Sequence, residues 1–244
     1  MAFRFALIHL FALALSLLLM RSALAQEPDS AITISREELL GKIDPATHPA
    51  FSPVPASMAS REGMYLRSEV LTAFQAMRDS AKKDGVNLII LSATRPFNHQ
   101  KSIWEKKWNR SKYAGWSDAD KALDILKYSS MPGTSRHHWG TDLDINSLEP
   151  AYFTSGEGKK IYDWMCAHAA DFGFCQTYTS KSAGRTGYEE EHWHWSYYPL
   201  SNAFLEEYLR MITPADISGF SGSSTAGAID VIGKYVRGIE CHQK

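Results

Sequence analysis

Excess charge of either sign, cysteine and internal repetition are all scarce in this 244-residue chain. Its 26 lysines and arginines face 27 acids, a formal net charge of −1, so nothing draws it in bulk to nucleic acid or to an anionic membrane surface. A partner must be recognised locally, at a site. Three cysteines allow at most one intrachain bridge, and the lack of repeats excludes a solenoid or propeller. Beyond the first 20 residues there is no long apolar run, so no membrane-spanning segment is expected in the rest of the chain.

What is there begins with an apolar stretch over 5–20, interrupted only by His9 and Ser16, with Arg4 before it and Ala23-Leu24-Ala25 after it. Positive flank, apolar centre and small-residue site together predict a signal peptide over 1–25. The alternative is an uncleaved anchor, since the apolar run is long for a signal and Arg21 lies near the cut. Removing Arg4 and Arg21 leaves 24 basic against 27 acidic side chains, a net charge of −3. The implied location is the periplasm, cell envelope or extracellular space, with no stable membrane insertion after cleavage. An oxidising compartment favours a disulfide. Cys166 falls late in a helical pattern and Cys175 early in the following strand, so that short loop is the favoured bridge, with Cys241 left unpaired; a bridge to Cys241 and three buried free thiols are the alternatives.

Residues 26–64, with prolines at 28, 45, 49, 53 and 55, read as an extended lead-in. Leu66, Val70, Leu71, Phe74 and Met77 recur at helical spacing over 66–83, and the apolar run 86–92 follows as a buried strand. Further helices are expected over 98–108, 118–128, 158–171, 201–212 (capped by Ser201) and 226–238; further strands over 141–146, 174–178 and 193–197. This order predicts an α+β fold, a single domain over 65–212 with a small, mainly antiparallel sheet flanked by helices. Residues 213–244 are expected to form a C-terminal helical extension.

Two short blocks carry the chemistry: SRHHWGTDLD over 135–144 and EHWHW over 191–195. They supply His137, Asp144 and His194, enough to bind zinc and leave a coordination position open, and Glu191, a carboxylate able to work on bound water. An aspartate inside an apolar strand is costly unless it is paired or metal-bound. His138 competes locally with His137, and Asp142 competes with Asp144 because period two puts both carboxylates on one face. The same alternation separates Glu191 from His194, so a turn or bulge near Glu191 is required if they cooperate. The bland reading of 189–191 is a solvated acidic loop. Arg95, just past the strand 86–92, can clamp a carboxylate or stabilise an oxyanion. Ser135 can hydrogen-bond the same substrate or cap the turn.

These blocks resemble the zinc D-Ala-D-Ala carboxypeptidases of VanY type, a group related to D-Ala-D-Ala dipeptidases and the zinc domain of hedgehog proteins. In that family a Ser-X-His-X6-Asp block supplies two zinc ligands and a Glu-X-X-His block supplies the base and the third ligand. They fall here on Ser135, His137, Asp144, Glu191 and His194. LSATRPFNHQ places Arg95 and Gln100 at the substrate-side element, and Gly187-Tyr188 precedes the acidic block. The resemblance covers about 65–200 and implies a hedgehog/D-Ala-D-Ala peptidase-like fold and a Zn2+ cofactor. It implies His137, Asp144 and His194 as ligands, Glu191 as base, and Ser135, Gln100, Tyr188 and Arg95 as substrate contacts. The implied partner is the peptidoglycan stem peptide, trimmed of its terminal D-Ala, with endopeptidase or dipeptidase action as alternatives. The family usually carries a small residue at 142 and often Pro at 192; Asp142 and His192 here put two extra potential ligands beside the metal.

Two other classes remain to be weighed. A non-catalytic zinc-stabilised cell-wall binding module would keep the ligands without needing Glu191. A mononuclear iron oxygenase would usually show His-X-Asp or His-X-Glu, and neither spacing occurs in this sequence.

Overall fold

Asp142 and Asp144 point to one side of strand β4 (Asp142–Ile145), and Leu143 and Ile145 point to the other, because strand side chains alternate. In the computed structural model, which describes residues 33–241, β4 lies inside a four-stranded antiparallel sheet. The sheet order is β3 (Ile90–Ser92), β4, β6 (His194–Tyr197), β5 (Phe174–Gln176). Register pairs Asp144 with His194, Asp142 with Ser196 and Ser92 with Asp144, so one face of the sheet gathers the polar residues. Its other face sends Leu143, Ile145 and Trp195 into the largest apolar core.

That core is covered by α2 (Ser68–Lys83), whose Val70, Phe74 and Met77 are fully buried, and by α5 (Gly156–His168) with Ile161 and Met165. Each such side chain contributes about 1.5–3 kcal/mol by burial. Two further apolar clusters flank the polar face. One gathers Trp104 and Trp108 of α3 (Phe97–Trp108), Ile125 of α4 (Asp118–Ile125), Tyr178, Tyr188 and the C-terminal Phe220, Ile229 and Tyr235. The other joins Trp139 to Phe204 and Tyr208 of α6 (Tyr198–Met211) and to Leu39.

Several sequence expectations change. The stretch 34–64 is more than an extended lead-in: it forms α1 (Arg36–Leu39) and β1 (Phe51–Pro53), which pairs with β2 (Tyr65–Arg67). Leu39, Phe51, Val54 and Met58 are buried, so local proline content was outweighed by tertiary packing. Leu66 lies in β2 and not in the first long helix. Ser201 is buried inside α6, which begins three residues earlier with Pro199 in its first turn. The helix expected over 226–238 is broken: α7 (Ala226–Ile229) ends at Asp230, whose φ is 57°, and a π-turn follows over Ile232–Val236. The bridge joins Cys175 to Cys241, with Cα atoms 5.5 Å apart, and Cys166 is free and exposed. The tail runs back beside β5, where Glu240 N–H donates to the Thr177 carbonyl at 3.1 Å, and this carries Cys241 to Cys175. The expected signal segment lies outside the described residues. Among the described residues no helix is long and apolar enough to cross a membrane.

Candidate metal centre

His137 reaches the site from a 3-10 turn, Arg136–Trp139, that is held on both sides. Trp139 is fully buried and its indole N–H donates to the Leu39 carbonyl at 3.2 Å. Arg67 Nε donates to the Trp139 carbonyl at 2.6 Å, and its guanidinium pairs with Glu38 at 2.7 Å. Gly140 then turns the chain with φ 73°, where a side chain would strike the Phe51 ring. The backbone can therefore double back into β4 and bring Asp144 beside His137.

His137 Nδ1–H donates to the Ala93 carbonyl at 2.9 Å, which turns Nε2 toward Asp144 Oδ2, 3.3 Å away. His194 Nε2–H donates to Asp142 Oδ2 at 2.9 Å, which turns Nδ1 toward Asp144 Oδ1, 3.1 Å away. One donor atom from each of His137, Asp144 and His194 lies within 4.8 Å of the others, and all three residues are buried. Asp144 Oδ1 has no hydrogen-bond partner of good geometry, a costly state for a buried carboxylate that a cation would relieve. Two imidazole nitrogens and one carboxylate suit zinc with a position left open. The residues fit the metal.

Glu191 stands on the same side as His194, with Oε2 3.6 Å from Nδ1. A turn at 192–193 precedes β6 and supplies the break in alternation that this requires. Glu191 is anchored by its backbone, N–H to the Tyr178 carbonyl at 2.9 Å and carbonyl to Gln176 Nε2 at 3.2 Å. Burial pushes its carboxyl up to about 8; Asp144 adds to this, while His194, Arg95 and Lys107 oppose it. Burial also disfavours a charged His194, but Asp142 and Asp144 outweigh it and raise the imidazole to about 9. Burial lowers His137 despite Asp144. For Asp144 the imidazoles of His137 and His194 outweigh burial and hold the carboxyl well below the usual range.

The competing residues have other work. His138 is fully buried, donating Nδ1–H to the Arg95 carbonyl at 2.5 Å and accepting at Nε2 from Gly133 N–H at 3.0 Å; burial lowers it to about 3. It has no nitrogen free for a metal. Asp142 is not a ligand either: Thr141, Ser196, Arg136 and His194 surround it. His192, expected beside the metal, turns away and packs its ring on Phe153 and Tyr162.

A cavity of about 530 Å³ opens over the centre. His137, Asp144, His194, Glu191, Arg95 and Tyr188 line it. Gln100 and Ser135 do not. Gln100 is fully buried, accepting from Arg95 Nη1 at 2.8 Å and donating to the Ser130 carbonyl at 2.6 Å, so it holds Arg95 in place. Ser135 is buried, and its hydroxyl has no partner. Tyr128, Ser129, Tyr178, Trp193 and Lys107 line the cavity and were missed from sequence. Lys107 had a signal: residues 100, 103 and 107 share one face of a helix.

Two histidines and an aspartate beside a basic carboxylate, on the polar face of an antiparallel sheet, are the arrangement of a metal-dependent hydrolase. The chain belongs to the VanY family of D-alanyl-D-alanine carboxypeptidases, whose model matches residues 63–200. It is 31% identical over 143 residues to the D-alanyl-D-alanine carboxypeptidase of Enterococcus faecalis V583, a match over 55% of this chain and 52% of that protein. The chain spans about half the length of the curated relatives it matches. The LdcB LD-carboxypeptidase structure shares the fold, with TM-score 0.53 at 22% identity over 77% of this chain and 94% of that one. A zinc-bound vancomycin-resistance D,D-pentapeptidase VanY is similar at 26% identity over 65% of this chain and 89% of that one, with TM-score 0.48.

Proposed function

We propose that the protein is a zinc carboxypeptidase that removes the C-terminal D-alanine from peptidoglycan stem peptides. One observation carries this reading: the Glu191 carboxylate lies 3.6 Å from His194 Nδ1, inside a cavity that also holds the His137–Asp144–His194 donor set. Family membership supports the substrate class. A binding module would have no use for a buried, basic carboxylate at that position.

His137 Nε2, Asp144 and His194 Nδ1 would hold the zinc. When bound, zinc acidifies water and polarises the scissile carbonyl. Glu191 takes the proton of the attacking water and passes it to the leaving amine nitrogen. Arg95, 3.5 Å from Asp144 Oδ2, stabilises the negative charge that develops on the carbonyl oxygen. Tyr178, Tyr188 and Trp193 form aromatic walls of the cavity around the reacting groups. The proposed place of action is outside the cytoplasm, a reading that rests on residues 1–25 as an export signal.

The test is to incubate zinc-loaded protein with tetra- and pentapeptide muropeptides and read the products by mass spectrometry. Loss of one alanine supports the carboxypeptidase, and the peptide that shortens separates L,D from D,D cleavage. Internal cleavage, or release of a dipeptide, moves the assignment to an endopeptidase or dipeptidase. Intact peptides with zinc bound overturn it.

A further inference from the structure

Apart from its histidines, the cavity is lined by two cationic side chains, Arg95 and Lys107, and their situations differ. The Arg95 guanidinium is committed: it donates to Ser92 Oγ and Gln100 Oε1, each at 2.8 Å, and faces Asp144. The Lys107 ammonium donates to one group, Ser129 Oγ at 3.0 Å. Among the described residues no carboxylate lies within ion-pairing distance of it. An ammonium has three protons to donate, and a half-buried one that Glu191 reaches only from beyond ion-pairing distance keeps a desolvation cost that a bound anion offsets. Burial, helped by Arg110 and opposed by Glu191, lowers its pKa.

Position adds to the case. Lys107 lies seven residues beyond Gln100 on α3, about two turns or ~10 Å along the helix. Gln100 holds Arg95 beside the metal ligands and bonds the Ser130 carbonyl, while Lys107 bonds the neighbouring Ser129. The same wall thus presents a committed cation near the reacting bond and an uncommitted one farther along. Ser135, the residue expected to share a carboxylate with Arg95, does not line the cavity.

We propose that Lys107, with Ser129, forms a carboxylate-binding subsite that selects the substrate. The inference rests on the carboxypeptidase reading above. The carboxylate comes either from the terminal residue of the peptide or from the side chain of the residue before it.

The experiment measures kcat and KM of the zinc-loaded wild type, Lys107→Met and Lys107→Arg on three peptides. One carries both carboxylates, one has its C-terminus amidated, and one has lysine in place of a diaminodicarboxylic acid. Loss of a charge-assisted hydrogen bond raises KM for the first peptide about tenfold to a hundredfold in Lys107→Met, with kcat little changed. Lys107→Arg restores most of it. The wild type discriminates against the peptide lacking the bound carboxylate, and Lys107→Met does not, which identifies the source. A purely structural lysine would change stability and leave these ratios unmoved. Unchanged ratios and KM in a folded Lys107→Met overturn the subsite. A wild type that binds zinc but cleaves none of the peptides overturns the carboxypeptidase reading, and the subsite with it.

Discussion

Asp142 Oδ2 accepts a hydrogen bond from His194 Nε2 at 2.9 Å, and this contact decides which nitrogen of His194 faces the cavity. With Nε2 engaged, Nδ1 is presented to Asp144 and Glu191. Asp142 is itself fixed by Arg136, Thr141 and Ser196. A carboxylate behind a metal-binding histidine orients the ring and raises its basicity.

Asp142→Asn keeps the shape and removes the charge. Zinc affinity, measured by competition with a chelator, is expected to fall about tenfold to a hundredfold. Unchanged affinity in a folded variant would show that Asp142 serves only to neutralise Arg136.

Arg95 makes three contacts that a lysine ammonium cannot reproduce together. Arg95→Lys is expected to lower kcat by about a hundredfold or more, with zinc content unchanged. A rise in KM alone would instead make Arg95 a binding group.

Glu38 and Arg67 form a buried pair under the turn that carries His137. Burial raises the Glu38 carboxyl, but hydrogen bonds from Arg67 and Ser35 outweigh it and hold it below its ordinary value of 4.5. A folded-state value below the unfolded one stabilises the protein above pH 4.5, and that contribution is lost as pH falls through the folded value. Urea unfolding of wild type and Glu38→Gln should therefore show a stability gap at pH 7 that narrows below pH 4.5. A gap that stays constant would contradict the pairing.

The Cys175–Cys241 bridge spans 66 residues. Cys241→Ser should lower stability by about 2–4 kcal/mol. Cys166→Ser, at an exposed thiol, should change it by less than about 0.5 kcal/mol. Calorimetry on both variants checks the pairing, and the reverse order would contradict it.

The grouping of His137, Asp144 and His194 was legible because two short blocks, and the family pattern they resemble, carry all three residues. Period-two alternation fixes the face that Asp142 and Asp144 share, and the break needed between Glu191 and His194 could be deduced from that same rule. The small antiparallel sheet followed from the order of the segments. What escaped depends on distant contacts. Cys241 is brought to Cys175 by a tail pairing 66 residues away in sequence. Phe51 and Leu39 are buried by partners from the Gly140 turn and α6, which proline-rich local composition does not disclose. His192 and Asp142 looked like spare ligands because periodicity gives a face but not a turn: the turn at 192–193 swings one away, and Arg136 claims the other.

The most direct test is Glu191→Gln, which keeps the size of the side chain and removes its basicity. Zinc content by elemental analysis and alanine release from stem peptides should be measured on the same preparation. Full zinc occupancy with turnover reduced at least a thousandfold is the expected result, because the ligands are intact and the base is gone. Turnover close to wild type would contradict the role of Glu191 as the base.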